Sequence, residues 1–221
     1  RSGGGASPRP GAGVNLPRRI AWEVLLDVAT KDSYANLLLP AKLTRTRMNA
    51  QDAAFATELT YGALRRQKFY DAVIESAARR RIDAIDAEPL AAMRLGAHQL
   101  LAMRVPDHAA LSETVAVVKR NAAKTAGFVN AVLRRISEAD SREWLERVTA
   151  GTSETTRLAI EHSHPEWIVR ALTQALKGHE RDAGELEALL AADNAPAKVG
   201  VSALPGLLDR SELPGEATPL S

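Results

Sequence analysis

From Pro17 to about residue 193, apolar residues recur three and four positions apart, and no run alternates apolar with polar residues as a half-buried strand would. That period confines the chain to helices packed on helices. "RRIAWEVLLDVAT" puts Ile20, Val24, Leu25 and Val28 on one stripe, with Pro17 suited to a helix start. "YANLLLPAKL" reads as a short second helix broken near Pro40. Asn49 can cap a third, with Phe55, Leu59 and Ala63 on one face and Gly62 beside them. Phe69, Val73, Ile74 and Ala77 mark a fourth. In "EPLAAMRLGAHQLLAM" the stripe is Leu90, Met93, Ala97, Leu100 and Leu101, with Pro89 in the first turn. Leu111, Val115 and Val118, then Phe128, Val132, Leu133 and Ile136, complete the all-α body.

Shorter helices follow in "SREWLERV", "ETTRLAIEH" and "PEWIVRALTQAL", then an acidic one in "RDAGELEALLAAD". Past residue 194 prolines and glycines cluster, and "AKVGVSAL" could be a single strand. One strand is not stable alone. The expected organisation is a tail or expression-tag scar over 1–15, a helical body over 16–150, a helical linker over 151–193, and a truncated first element of another domain over 194–221. No window is apolar enough to span a membrane, and "RSGGGASPRPGAG" lacks the apolar core of a signal peptide.

The chain has no cysteine, which removes disulfides, thiolate zinc sites and any cysteine nucleophile, and fits a reducing, cytoplasmic setting. His162 and His164, two apart, do not share a helix face and read as surface or capping residues rather than metal ligands. His98 reads as a satisfied, partly buried side chain. G-x-S-x-G, H-E-x-x-H, the P-loop and a strand-linked G-x-G-x-x-G are all missing, so no catalytic, cofactor or metal residue is expected in this chain.

Charge is lopsided. Residues 1–150 hold 23 Lys+Arg against 16 Asp+Glu, and residues 151–221 hold 6 against 11. The basic residues come in clusters near helix ends: Arg18 and Arg19; Arg65, Arg66 and Lys68; Arg79, Arg80 and Arg81; Lys119 and Arg120; Arg134 and Arg135. Cations at helix C-termini complement the macrodipole, yet five clusters in the net-positive half point to phosphate contact. The candidate RNA-binding residues are Arg18, Arg19, Arg65, Arg66, Lys68, Lys119, Arg120, Arg134 and Arg135. Aromatics are scarce, at 4%, which favours backbone and shape recognition over base stacking. Arg134 and Arg135 project about 100° apart, so they do not meet one partner alike. Asn130, between apolar neighbours, is expected to bond a nearby loop backbone.

"QDAAFATELTYGALRR", "MRLGAHQLLAM", "VPDHAALSETVAVVK" and "GFVNAVLRRI", in that order over residues 51–136, resemble the NusB-like RNA-binding domain that opens the Sun/Fmu (RsmB-type) family of ribosomal RNA methyltransferases. "HPEW" at 164–167 resembles that family's linker. The resemblance implies a NusB-like helical bundle and a ribosomal RNA partner. It also implies a parent enzyme that methylates carbon 5 of a cytosine in 16S rRNA with S-adenosylmethionine. The methyltransferase domain, with its glycine-rich loop and two cysteines, would lie in cis beyond residue 221. Two other readings stay open: a free-standing NusB-type antitermination factor, and a helical module that docks on protein. Gly62, costly in mid-helix by up to about 1 kcal/mol, is expected to let a neighbouring helix approach closely.

Overall fold

The computed structural model describes residues 15–182 and 184–195. Among them are eleven α-helices, two isolated 3-10 turns and no strand. The helices are α1 Leu16–Thr30, α2 Ala35–Thr46, α3 Ala50–Arg65, α4 Gln67–Ala78, α5 Ala87–Leu101, α6 Asp107–Asn121, α7 Ala126–Ile136, α8 Ser141–Thr149, α9 Glu154–Glu161, α10 Glu166–Gly178 and α11 Glu185–Asp193. The "AKVGVSAL" stretch lies outside the described residues.

Local chemistry sets most helix starts. Asn15 caps α1 and Asn49 caps α3, accepting from the Asp52 amide at 2.8 Å. Asp140 and Glu143 form a reciprocal capping box on α8. Pro165 is the N-cap of α10, one position before its first helical residue. Helix α2 does not break at Pro40 but runs through it to Thr46. Asn36, whose carbonyl loses its partner there, is exposed, so water can satisfy it.

Helix α5 corrects the single-stripe expectation. Residues Ala91 to Gln99 are all buried, because α1, α3, α4, α6 and α7 all pack around this one helix. Helix α7 comes close at Gly96, where a Cβ would lie 2.5 Å from Leu133 Cδ2. Polar residues on α5 are therefore enclosed, and Arg94 and Gln99 are paired, whereas His98 keeps one ring nitrogen without a partner among the described residues. Arg94 makes a two-pronged bond to Asp71 on α4, at 2.7 and 2.8 Å.

The main core runs from Ala21 through Leu133 to Trp144 and Ile160. Two tryptophans act as ties, Trp22 donating to the Glu88 carbonyl at 3.0 Å and Trp144 to the Ile136 carbonyl at 2.8 Å. A second cluster joins α9, α10 and α11 through Leu158, Ala159, Val169, Leu186 and Leu190. Helix α9 stands between the two. Its following turn holds Ser163, whose hydroxyl accepts the Phe69 amide at 3.1 Å in the first turn of α4.

Candidate nucleic-acid interface

Helix α7 packs on both α4 and α6, and the C-termini of those helices bring cations to its flanks. Arg79 and Arg80 follow α4, Lys119 and Arg120 end α6, Lys124 lies in the 3-10 turn that enters α7, and Arg134 is on α7 itself. All six are exposed and, among the described residues, none has a carboxylate within ion-pair distance. Arg80 lies over the Phe128 ring at 5.4 Å, which fixes the α4 terminus against α7. Arg81 differs, being paired with Asp83 at 2.7 Å. Arg135 donates to the Ala77 carbonyl at 2.8 Å and so closes the C-terminus of α4 from another helix. Arg134 and Arg135 thus have separate jobs, as their angular offset requires.

The remaining sequence candidates fall elsewhere. Arg18 is not a surface cation: it is 5% exposed, donates to Gln99 Oε1 at 2.7 Å and lies over the Phe55 ring at 4.9 Å. Gln99 in turn donates to Thr114 Oγ1 at 3.1 Å and the Leu95 carbonyl at 3.0 Å, so Arg18 ends a buried polar chain on α5. Burial pulls the Arg18 guanidinium down from its ordinary range, with Glu113 opposing the shift. Arg19 is half-buried and leans toward Glu23 at 3.7 Å. Arg65, Arg66 and Lys68 sit together at the α3–α4 junction, separated from the six-cation edge by the length of α4, roughly 18 Å for its twelve residues. Arg65 makes no bond to helix-end carbonyls among the described residues, and Arg66 lies over Phe69 at 4.7 Å.

Two expectations about polar groups change. Asn130 makes no side-chain hydrogen bond among the described residues. His162 is the C-cap of α9, as expected, but neither it nor His164 is a free surface group: both are half-buried, near Glu187 at 4.0 Å and Asp193 at 3.5 Å respectively. Glu161, His162 and Glu187 bring ligand atoms within 4.8 Å of one another. The Arg157 guanidinium already bonds Glu161 and lies 3.7 Å from Glu187, so a cation of the chain itself supplies that charge.

Lys124 stands alone in sequence and is not among the sequence candidates; the 3-10 turn that packs on α6 and α7 brings it to this edge. Arg79 and Arg80 were visible as a run, but the fold alone sets them against α7.

These features define an all-α protein whose basic edge is built from helix termini. The chain belongs to the NusB family, whose model matches residues 15–138. Rv1407 of Mycobacterium tuberculosis, which carries a methyltransferase name, is 46% identical over 200 residues, covering 89% of this chain and 43% of that protein. The ribosomal RNA small subunit methyltransferase B of Thermus thermophilus is 38% identical over 59% of this chain and 32% of its own length. The chain thus spans less than half of these relatives. Among solved structures, antitermination factor NusB in complex with NusE and double-stranded RNA is 25% identical, with a TM-score of 0.52, over 56% of this chain and 95% of that one. NusB of T. maritima, at 19% identity and a TM-score of 0.53, shares the fold. Among the described residues, no helix is long and apolar enough to cross a membrane.

Proposed function

We propose that this chain is the RNA-binding, targeting domain of an S-adenosylmethionine-dependent 16S rRNA cytosine-C5 methyltransferase, with the methyl transfer carried out by a domain linked in cis. The observation that carries the reading is the edge of six unpaired cations at the ends of α4 and α6 and on α7. Exposed guanidinium and ammonium groups without carboxylate partners suit a phosphate backbone, and tethering raises the concentration of the target at a linked active site. The ribosomal partner follows from the relatives' names. S-adenosylmethionine would serve the linked domain; the helices described here offer no strand-to-helix glycine loop to hold it, and no residue of this chain is assigned to it.

A free-standing antitermination factor is the alternative. Against it, the likeness to the methyltransferase relatives runs over 200 residues, whereas 95% of the NusB chain is matched within 56% of this one. Helices α8 to α11 lie beyond the NusB family match, which ends at residue 138, and within the stretch shared with the methyltransferase relatives.

Filter binding of the chain to a fragment of precursor 16S rRNA, over a salt series, tests the proposal. Six phosphate contacts give a slope of log K against log salt of about −4 to −5. The K119Q/R120Q/R134Q variant should shallow that slope by about 2 to 3, and R45Q/R47Q at the end of α2 should not. Absent or salt-independent binding would refute it.

A further inference from the structure

At the α3–α4 junction a cleft of about 380 Å3 opens between the main body and the C-terminal helices, lined by Glu58, Gly62, Arg65, Arg66, His98 and His162. It is distinct from the cationic edge, from which α4 separates it. His98 is 3% exposed, and its Nδ1 lies 2.8 Å from the Tyr70 hydroxyl. Its Nε2 is buried with no hydrogen-bond partner. The nearest carboxylate oxygen, Glu58 Oε1, is 3.5 Å away. A ring nitrogen facing a carboxylate is better protonated than bare, so the Tyr70 hydroxyl donates to Nδ1 and Nε2–H is left as a donor facing the cleft. Gly62 makes this possible, because a Cβ there would fall under 3.0 Å from Nε2 and Cε1 of His98.

The cations beside this donor are unspent. Neither Arg65 nor Arg66 has a carboxylate within ion-pair distance among the described residues. Arg66 lies over Phe69 at 4.7 Å and beside the Tyr70 hydroxyl, which leaves its other guanidinium N–H groups for an acceptor. The opposite wall is fixed, Asn194 Nδ2 donating to the His162 carbonyl at 2.6 Å. Of the two carboxylates in the lining, Glu161 is held by Arg157, and Glu58 is exposed enough to swing away.

We propose that this cleft is a phosphate-binding site, in which Arg65, Arg66 and the Nε2–H of His98 converge on one tetrahedral anion. Two cations and a neutral donor match a group with three or more acceptor oxygens and up to two charges. A carboxylate offers two oxygens and one charge. The phosphate is either a free phosphate compound or a phosphodiester of bound RNA.

The test follows His98 by NMR of the 15N-labelled imidazole in the full chain, titrated with inorganic phosphate. A saturable change in the His98 signals with a Kd of about 1 mM or tighter supports the proposal. R65Q, which removes no side-chain hydrogen bond among the described residues, should weaken it about tenfold, and E58Q should tighten it. K119Q/R120Q should leave it unchanged. If an RNA hairpin competes with phosphate at His98, the source is the RNA backbone. If RNA binds without moving His98 while phosphate still does, the source is a free phosphate compound. No saturable change at phosphate tenfold above that Kd, the same change with chloride at matched ionic strength, equal affinity for acetate, or an R65Q protein that binds as well as the parent would each overturn it.

Discussion

Gly62→Ala sets two opposing effects against each other at one position. Alanine is worth up to about 1 kcal/mol over glycine in a helix interior, so an open site would be stabilised. Gly62 is not open: the added Cβ would meet Nε2 and Cε1 of His98 at under 3.0 Å. The ring cannot retreat freely, since His98 is buried among neighbours on every side of α5 and held by Tyr70 at 2.8 Å. Overpacking of this kind costs about 1–3 kcal/mol, and losing the buried Tyr70 bond adds about 1 kcal/mol. The net expectation is a loss of about 1–3 kcal/mol, or a Tm lower by about 2–4 °C per kcal/mol for a chain of this size. The decisive assay is a double-mutant cycle by urea unfolding. In a His98→Ala background the obstacle is gone, and Gly62→Ala should become neutral or stabilising by up to about 1 kcal/mol. If Gly62→Ala stabilises the parent, or destabilises both backgrounds equally, the steric account of this glycine is wrong.

Burial, with Arg66 and Arg65 nearby, pushes the His98 imidazole down to about 4 from its usual 6.5. Between those values the unfolded chain binds the extra proton, so stability falls as pH drops through that window, by roughly 3 kcal/mol in total below it. His98→Gln should flatten that segment of a stability–pH curve measured by urea unfolding; an unchanged slope refutes the assignment. Asp71→Asn breaks the fork to Arg94 and leaves a mostly buried guanidinium poorly matched, at about 3 kcal/mol in chemical denaturation; a loss within error would mean the pair is solvated. Ser163→Ala removes the acceptor of the Phe69 amide and should cost about 1 kcal/mol, with faster hydrogen exchange at Phe69 as the specific readout.

The helices were legible because each carries its own period and caps. Asn49, Pro89 and the stripe through Phe69, Val73, Ile74 and Ala77 are local statements that the fold kept. What failed to show was set by residues far away in sequence. Arg18 reads as half of a basic pair, and nothing near it announces Gln99, eighty-one positions on, as its partner. Helix α5 reads as one-sided because Arg94, His98 and Gln99 are polar; burial becomes possible only when Asp71, Tyr70 and Arg18 arrive from α4 and α1. At Gly62 the expectation of a close neighbour was right in kind. The neighbour is a single imidazole from α5, which spacing could not name.

The α3–α4 junction explains why the C-terminal helices stay with the body. Arg66 serves as the last cap of α3 and the first of α4, and its side chain makes no cap bond to α4. The first-turn amides of α4 therefore need outside acceptors. Ser163 supplies one to Phe69 from the turn after α9, at a left-handed backbone position with a φ of 53°. The same turn sets His162 against the cleft that holds His98, Arg65 and Arg66. A missing cap in the helical body is thus completed by the segment that follows it, and the completion builds one wall of the cleft. A ligand held by Arg65, Arg66 and His98 that also met the His162 wall would touch both parts of the chain, and its binding would resist their separation by the free energy gained from that wall.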